Sequence, residues 1–460
     1  MTSPRTNLLR LSLRLSLPVT AMTCALVLCT GVESEGFVLT GDVLDLTQRD
    51  FRILNNFTDP TANDNQIPDP DFPGALGADL AIWKGVVEWG SQLHGTGLSD
   101  PLQPDGIGSG QSDFDASFQG ASPVVGMPNQ NIISQLDGFG GGILAFTETP
   151  SNNGWRIRFF ENPTEWHDGP GLNSGGPNTF DIQGVMAHEY GHALGLGHTN
   201  VIGATMAGGV SSSSQMGIIL RSIEADDIAG VQAIYGLPSP TKPRIDTYEL
   251  TATGIALLGE NFDPLDNEIW FTRVTAGGDG TPVKVIGLAS SNLGTRLEVD
   301  IPADAGSGDV LVKLPGSNHS DLSNAFPIRP GMLPCERPVS YGVGKVNSQG
   351  FVAEMAFAGI ASASTGSFQL SIRNASIFGA GVVFSGNVQA SIPYAGGTLY
   401  AGPPFTRVAN FSLQFGEAFV DIPIDPSMIG ITRYYQMWYS DPADAFGFGL
   451  TNGIAITFCE

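Results

Sequence analysis

The feature that most constrains this chain is a run of eleven residues, His188-Glu189-Tyr190-Gly191-His192-Ala193-Leu194-Gly195-Leu196-Gly197-His198. On a helix of about 3.6 residues per turn, His188 and His192 stack one turn apart on a single face. Their ring nitrogens then converge on one ion. Gly195 permits a sharp backbone turn through a conformation that costs other residues more, and His198 swings back as the third ligand. Such a set suits Zn²⁺, which takes imidazole nitrogen at about 2.0–2.1 Å and, where catalytic, keeps a position open for water. Glu189 points beside the metal, where a general base sits to take a proton from that water and pass it to a leaving amine. The two His around a Glu are moderately specific. Gly195 and His198 make the signal strong, because three of the six histidines fall here. His94, His167 and His319 lack such spacing and read as surface residues.

The rest of the chain bounds the setting. A length of 460 residues suggests roughly three domains. With 60 Gly and 31 Pro against 14% charged residues, turn-rich β structure is favoured over long helices. Arg5, Arg10 and Arg14 precede the apolar stretch Leu15 to Leu28, so residues 1–34 are expected to be an export signal, with an uncleaved membrane anchor as the alternative. No later segment is long and apolar enough to span a bilayer. A net charge of −24 repels nucleic acid and anionic membranes. Cys24 and Cys29 leave with the signal. Cys335 and Cys459 bracket the last segment, so one disulfide between them is expected in an oxidising compartment, two free thiols being the alternative.

Along the chain, a strand is expected around Phe51 to Leu54. Leu76, Leu80, Trp83 and Val87 recur at helical spacing and predict a helix over 75–94. Short strands follow at 114–119, 143–148 and 155–160. A second helix runs 181–194, stopped by Gly195. A third runs 222–235, with Ser222 as candidate cap and Glu224 in its first turn. Pro238, Pro240 and Pro243 make a stiff linker over 237–243. Alternation at Ile255/Leu257, Ile269/Phe271, Leu297/Val299/Ile301 and Val310/Val312/Leu314 predicts short strands over 244–329. Phe411/Leu413/Phe415 and Val420/Ile422/Ile424 do the same within 330–460.

With these residues in view, a domain expected over 35–236 resembles, over roughly 75–236, a matrixin, the matrix-metalloproteinase branch of the metzincins. Met206, in Gly203-Ala204-Thr205-Met206, falls where that family places its Met-turn. Asp226-Asp227-Ile228-Ala229-Gly230-Val231-Gln232-Ala233-Ile234-Tyr235-Gly236 is similar to the family's last helix. Asp137-Gly138-Phe139-Gly140-Gly141-Gly142-Ile143-Leu144-Ala145 is similar to the glycine loop before its edge strand. The resemblance implies a twisted mixed sheet with three helices, and a protein or peptide substrate adding to the edge at Ile143, Leu144, Ala145 and Phe146. It implies a secreted endopeptidase with one catalytic zinc and Glu189 as its base. The family's second, structural zinc is not expected, because its ligand positions correspond here to Gln130, Ile132, Phe146 and Phe159. A calcium site survives in part, with Asp137 and Glu161 as candidates, while Thr164 replaces an acid. No cysteine-switch propeptide is expected. Ala207-Gly208-Gly209 departs from the family's usual wall after the Met-turn, so subsite preference does not transfer.

Residues 244–329 resemble an IPT/TIG immunoglobulin-like β-sandwich through Gly254-Ile255-Ala256-Leu257-Leu258-Gly259-Glu260-Asn261-Phe262 and Ala305-Gly306-Ser307-Gly308-Asp309-Val310-Leu311-Val312, closed by Asn324 and Phe326. Residues 330–460 read as a further all-β module. Tyr434, Tyr435 and Trp438 there are candidates for glycan contact, with core packing as the favoured alternative. The whole is therefore expected to be a multidomain protein, α+β then all-β. The competing reading is a surface adhesion protein with a relic peptidase domain. Oligomeric state is not legible.

Overall fold

A five-stranded sheet in the order β3-β2-β4-β6-β5 forms the frame of the first segment, from β2 (Asp50–Leu54), β3 (Ser117–Ala121), β4 (Ile132–Phe139), β5 (Ala145–Glu148) and β6 (Arg156–Asn162). The computed structural model describes residues 36–95, 97, 103, 106–148, 153–162, 165–171, 179–209, 220–274, 280–332, 336, 338–363 and 368–459. The expected export signal, Thr164 and Cys335 lie outside them. β2 pairs in parallel with β3 and β4, and β4 with β6. β5 alone runs antiparallel, on β6 at the edge. The sheet is thus mixed, as expected.

Helices α1 (Gly77–Val87) and α2 (Ile182–Ala193) pack together and on the sheet. Phe51, Ile133, Ile157 and Phe159 from the strands meet Trp83, Val86, Val185 and Met186 from the helices in one core. The helices cross at Gly85, where a Cβ would lie 2.7 Å from the Gln183 carbonyl oxygen. A third helix, α3 (Ala225–Tyr235), closes the segment. Two short pairings complete it. β1 (Val38–Leu39) runs antiparallel to β9 (Leu196–Gly197), and β7 (Glu165–His167) runs parallel to β8 (Thr179–Asp181).

Three expectations need correcting. α1 stops at Val87 rather than near 94, because the Gly90 N–H turns back to the Val87 carbonyl, and Gly95 and Gly97 take positive φ. α3 is capped by Glu224, not Ser222: the Glu224 side chain accepts from the Asp227 backbone, and Asp227 accepts from the Glu224 N–H. β4 went unpredicted, since its apolar start is short; Asp137 to Phe139 finish that strand and the loop proper begins at Gly140.

Over 244–328 two antiparallel sheets share a core. Arg244–Leu250, Gly254–Glu260 and Arg296–Asp300 form one sheet. Val283–Leu288, Asn267–Arg273, Ala305–Lys313 and Phe326–Ile328 form the other. Ile245, Leu257 and Leu297 pack against Ile269, Phe271 and Val310. The last segment is also all-β. A six-stranded sheet centred on Thr432–Ser440 and Phe378–Gly386 faces a three-stranded one of Glu354–Gly359, Phe368–Arg373 and Ala418–Asp421. Tyr435 belongs to this core, with Leu370, Met437 and Ile454, which removes it from any surface role. Tyr434 and Trp438 stay half-buried.

Residues from Gly36 onward form one compact unit. The 237–243 stretch is anchored: buried Lys242 lies 2.9 Å from Asp113 and 3.1 Å from Asp115. The Thr272 hydroxyl donates to the Phe118 carbonyl at 2.7 Å, and Arg49 lies 2.7 Å from His319 Nδ1. His94 is buried, 4% exposed and stacked on Phe72, contrary to the surface reading, and His319 is half-buried against Arg49. Among the described residues no helix is long and apolar enough to cross a membrane.

Candidate metal centre

α2 carries two of the three histidines and is held at its start by Asp181. Its Oδ1 accepts the Gly184 N–H at 2.7 Å, and the same carboxylate holds the buried guanidinium of Arg221. At the other end, Leu194 and Gly195 N–H groups close on the Tyr190 and His192 carbonyls. Gly195 takes φ 106°, and a Cβ there would sit 2.3 Å from the Asp42 carbonyl oxygen. Only glycine meets both demands. The chain then passes through β9 and returns His198 to the two helical histidines.

Tautomers follow from the partners. His188 Nδ1 lies 2.6 Å from the Thr205 carbonyl oxygen, and His192 Nδ1 lies 2.8 Å from that of Leu196. A carbonyl only accepts, so both rings carry hydrogen on Nδ1 and turn an Nε2 lone pair inward. Burial, then the neighbouring imidazoles, pushes His188 down to about 4, and burial lowers His192. Both rings are therefore neutral near pH 7. His198 Nε2 stands 3.2 Å from each of the other Nε2 atoms. A tetrahedral ion with bonds of about 2.0–2.1 Å separates its nitrogens by about 3.3 Å, so the donor set fits zinc.

Behind the ligands, Met206 is buried with its sulfur against Gly191 of α2, 2.3 Å from where a Cβ would stand. Asp227, 1% exposed, accepts the Thr205 N–H at 2.7 Å and the Met206 N–H at 3.0 Å. The two neighbouring acids thus separate. Asp227 clamps the turn whose Thr205 carbonyl orients His188, whereas the Asp226 carboxylate lies beside Gly36.

Glu189 is 5% exposed, and burial pushes its carboxyl up to about 7 against an opposing hydrogen bond from Thr147. The Thr147 hydroxyl lies 2.8 Å from Glu189 Oε2 and 2.7 Å from the Glu189 carbonyl oxygen. Sequence reasoning missed Thr147; its one signal was a hydroxyl within the strand expected over 143–148. A cleft of about 300 Å³ opens over His188, Glu189 and His198, walled by Leu144, Phe180 and Val185. Of the four residues assigned to the edge, Ala145 and Phe146 lie in β5, while Ile143 and Leu144 precede it and line the cleft.

Asp137, two residues before the end of β4, is exposed, and Glu161 on β6 accepts from the Thr58 hydroxyl at 2.6 Å. Among the described residues, the histidine triad is the one group of three or more such side chains that could hold a metal. Ile132 and Phe159 are buried in the sheet, Phe146 packs on Phe160, and the Gln130 side chain accepts from the Met127 N–H.

The comparisons agree with this geometry. Residues 111–236 match the matrixin family model. Matrix metalloproteinase-20 of Homo sapiens is 28% identical over 190 residues, 40% of this chain and 34% of that protein. Interstitial collagenase of Bos taurus is 33% identical over 176 residues, 38% and 31% of the two chains. The chain spans about a third of the length of these relatives. Residues 111–236, with their triad, buried glutamate and buried methionine, are therefore a matrixin-like metzincin domain of the zinc metallopeptidase kind.

Proposed function

We propose that the protein is an exported zinc-dependent endopeptidase that hydrolyses peptide bonds of extracellular proteins. The observation that carries this reading is the convergence of three inward-facing Nε2 atoms beside a buried carboxylate at the floor of an open cleft. His188, His192 and His198 would hold the ion. Bound there, zinc supplies Lewis acidity, activating water and polarising the scissile carbonyl. Glu189 takes the proton from the attacking water on a carboxylate oxygen and delivers it to the leaving amine nitrogen. Ala145 and Phe146 at the open edge of the sheet offer main-chain groups to an extended substrate. Leu144, Phe180 and Val185 give the cleft an apolar wall for a side chain.

The reading also keeps one catalytic zinc per chain and a Cys335–Cys459 disulfide closing the last module, with Asp137 and Glu161 as candidate calcium ligands. It treats 244–329 as an IPT/TIG-like spacer. Metal analysis of the purified protein tests the zinc part. One zinc per chain, lost to a chelator together with casein cleavage and restored with it, is expected. Protein that purifies without metal and takes up none would overturn the reading, and two zinc per chain would overturn the single-site part.

A further inference from the structure

We propose that Thr147 is a positioning residue for Glu189, its hydroxyl fixing the carboxylate where it meets the attacking water; this rests on the peptidase reading above. Glu189 is 5% exposed, and among the described residues Thr147 is the side chain seen to hydrogen-bond its carboxylate. A glutamate has three side-chain torsions, and a carboxylate free to rotate spends little time in one productive place. Here Oε2 is tied at 2.8 Å, which leaves Oε1 for the cleft that Glu189 lines. The same hydroxyl stands 2.7 Å from the Glu189 carbonyl oxygen, so one hydrogen is shared between the two ends of one residue. That fixes the side chain relative to its own backbone, not merely relative to the sheet.

The position has a consequence. Thr147 lies in β5, two residues beyond Ala145, and its register partner is Ile157 of β6. The strand that offers its edge to the substrate therefore also sets the base. Displacement of β5 would misplace both together.

Thr147→Val keeps the shape and removes the hydroxyl; Thr147→Ser keeps the hydroxyl. For Thr147→Val, kcat on a peptide substrate is expected to fall about tenfold or more with KM within about twofold, since hydrogen bonds to charged groups are the stronger ones. Thr147→Ser should stay within about twofold of wild type. In crystals of the zinc-loaded variants, the Glu189 carboxylate should keep its place in Thr147→Ser and leave it in Thr147→Val. An unchanged kcat in Thr147→Val, or a carboxylate that stays in place there, overturns the proposal. Failure of the wild type to cleave would sink the peptidase reading instead, and the carboxylate position in the two variants would still decide the role of Thr147.

Discussion

His188 owes its orientation to a residue it never touches. Its Nδ1–H ends on the Thr205 carbonyl, and the Thr205 N–H ends on Asp227. Partners behind a metal ligand typically change metal affinity by about 10–100-fold. Asp227→Ala should weaken zinc binding by about that factor, measured by competition with a chromophoric chelator, and unchanged affinity would refute the relay. Glu189→Ala, by contrast, should keep its zinc and lose activity, because general acid–base groups contribute about 10²–10⁴-fold. The ligands were legible because their spacing is a property of any helix followed by a glycine turn. Which of Asp226 and Asp227 clamps the Met206 turn was not, because two adjacent acids at a helix start differ only in direction. Thr147 was hidden for a related reason: its partner lies 42 residues away.

At the scale of elements, the metal centre depends on where α2 ends. Gly195→Ala must place a Cβ 2.3 Å from the Asp42 carbonyl at φ 106°. Strain at such positions costs on the order of 1–3 kcal/mol. The variant should therefore unfold at lower denaturant and bind zinc more weakly as His198 is displaced; wild-type values for both would contradict the account. α2 itself was readable within a residue at each end, because Asp181 caps it and Gly195 stops it. α1 was over-extended because helical spacing persists into the irregular stretch after Val87, where buried Trp89 and His94 keep an apolar pattern without a helix.

Across the whole molecule, the proline-rich stretch that reads as a spacer is fastened to the first segment. Lys242 sits 7% exposed between Asp113 and Asp115, more than a hundred residues earlier. Removing one partner of a buried ion pair costs about 3–5 kcal/mol, because the remaining charges stay buried. Lys242→Met should lower unfolding stability by that order, and adding Asp115→Asn should recover part of it. A wild-type denaturation midpoint in Lys242→Met would show that the contact does not hold the segments together. The sequence could not announce this contact, since a lysine in a linker and two aspartates in a loop carry no mark of one another.

Under the peptidase reading, the buried carboxylate at the triad works as a base on peptide bonds. The most direct test is the rate of casein hydrolysis by wild type and by Glu189→Ala carrying equal zinc. Cleavage by wild type and a loss of at least about 10²-fold in the variant are expected. Equal rates, or no cleavage by zinc-loaded wild type, would contradict that reading.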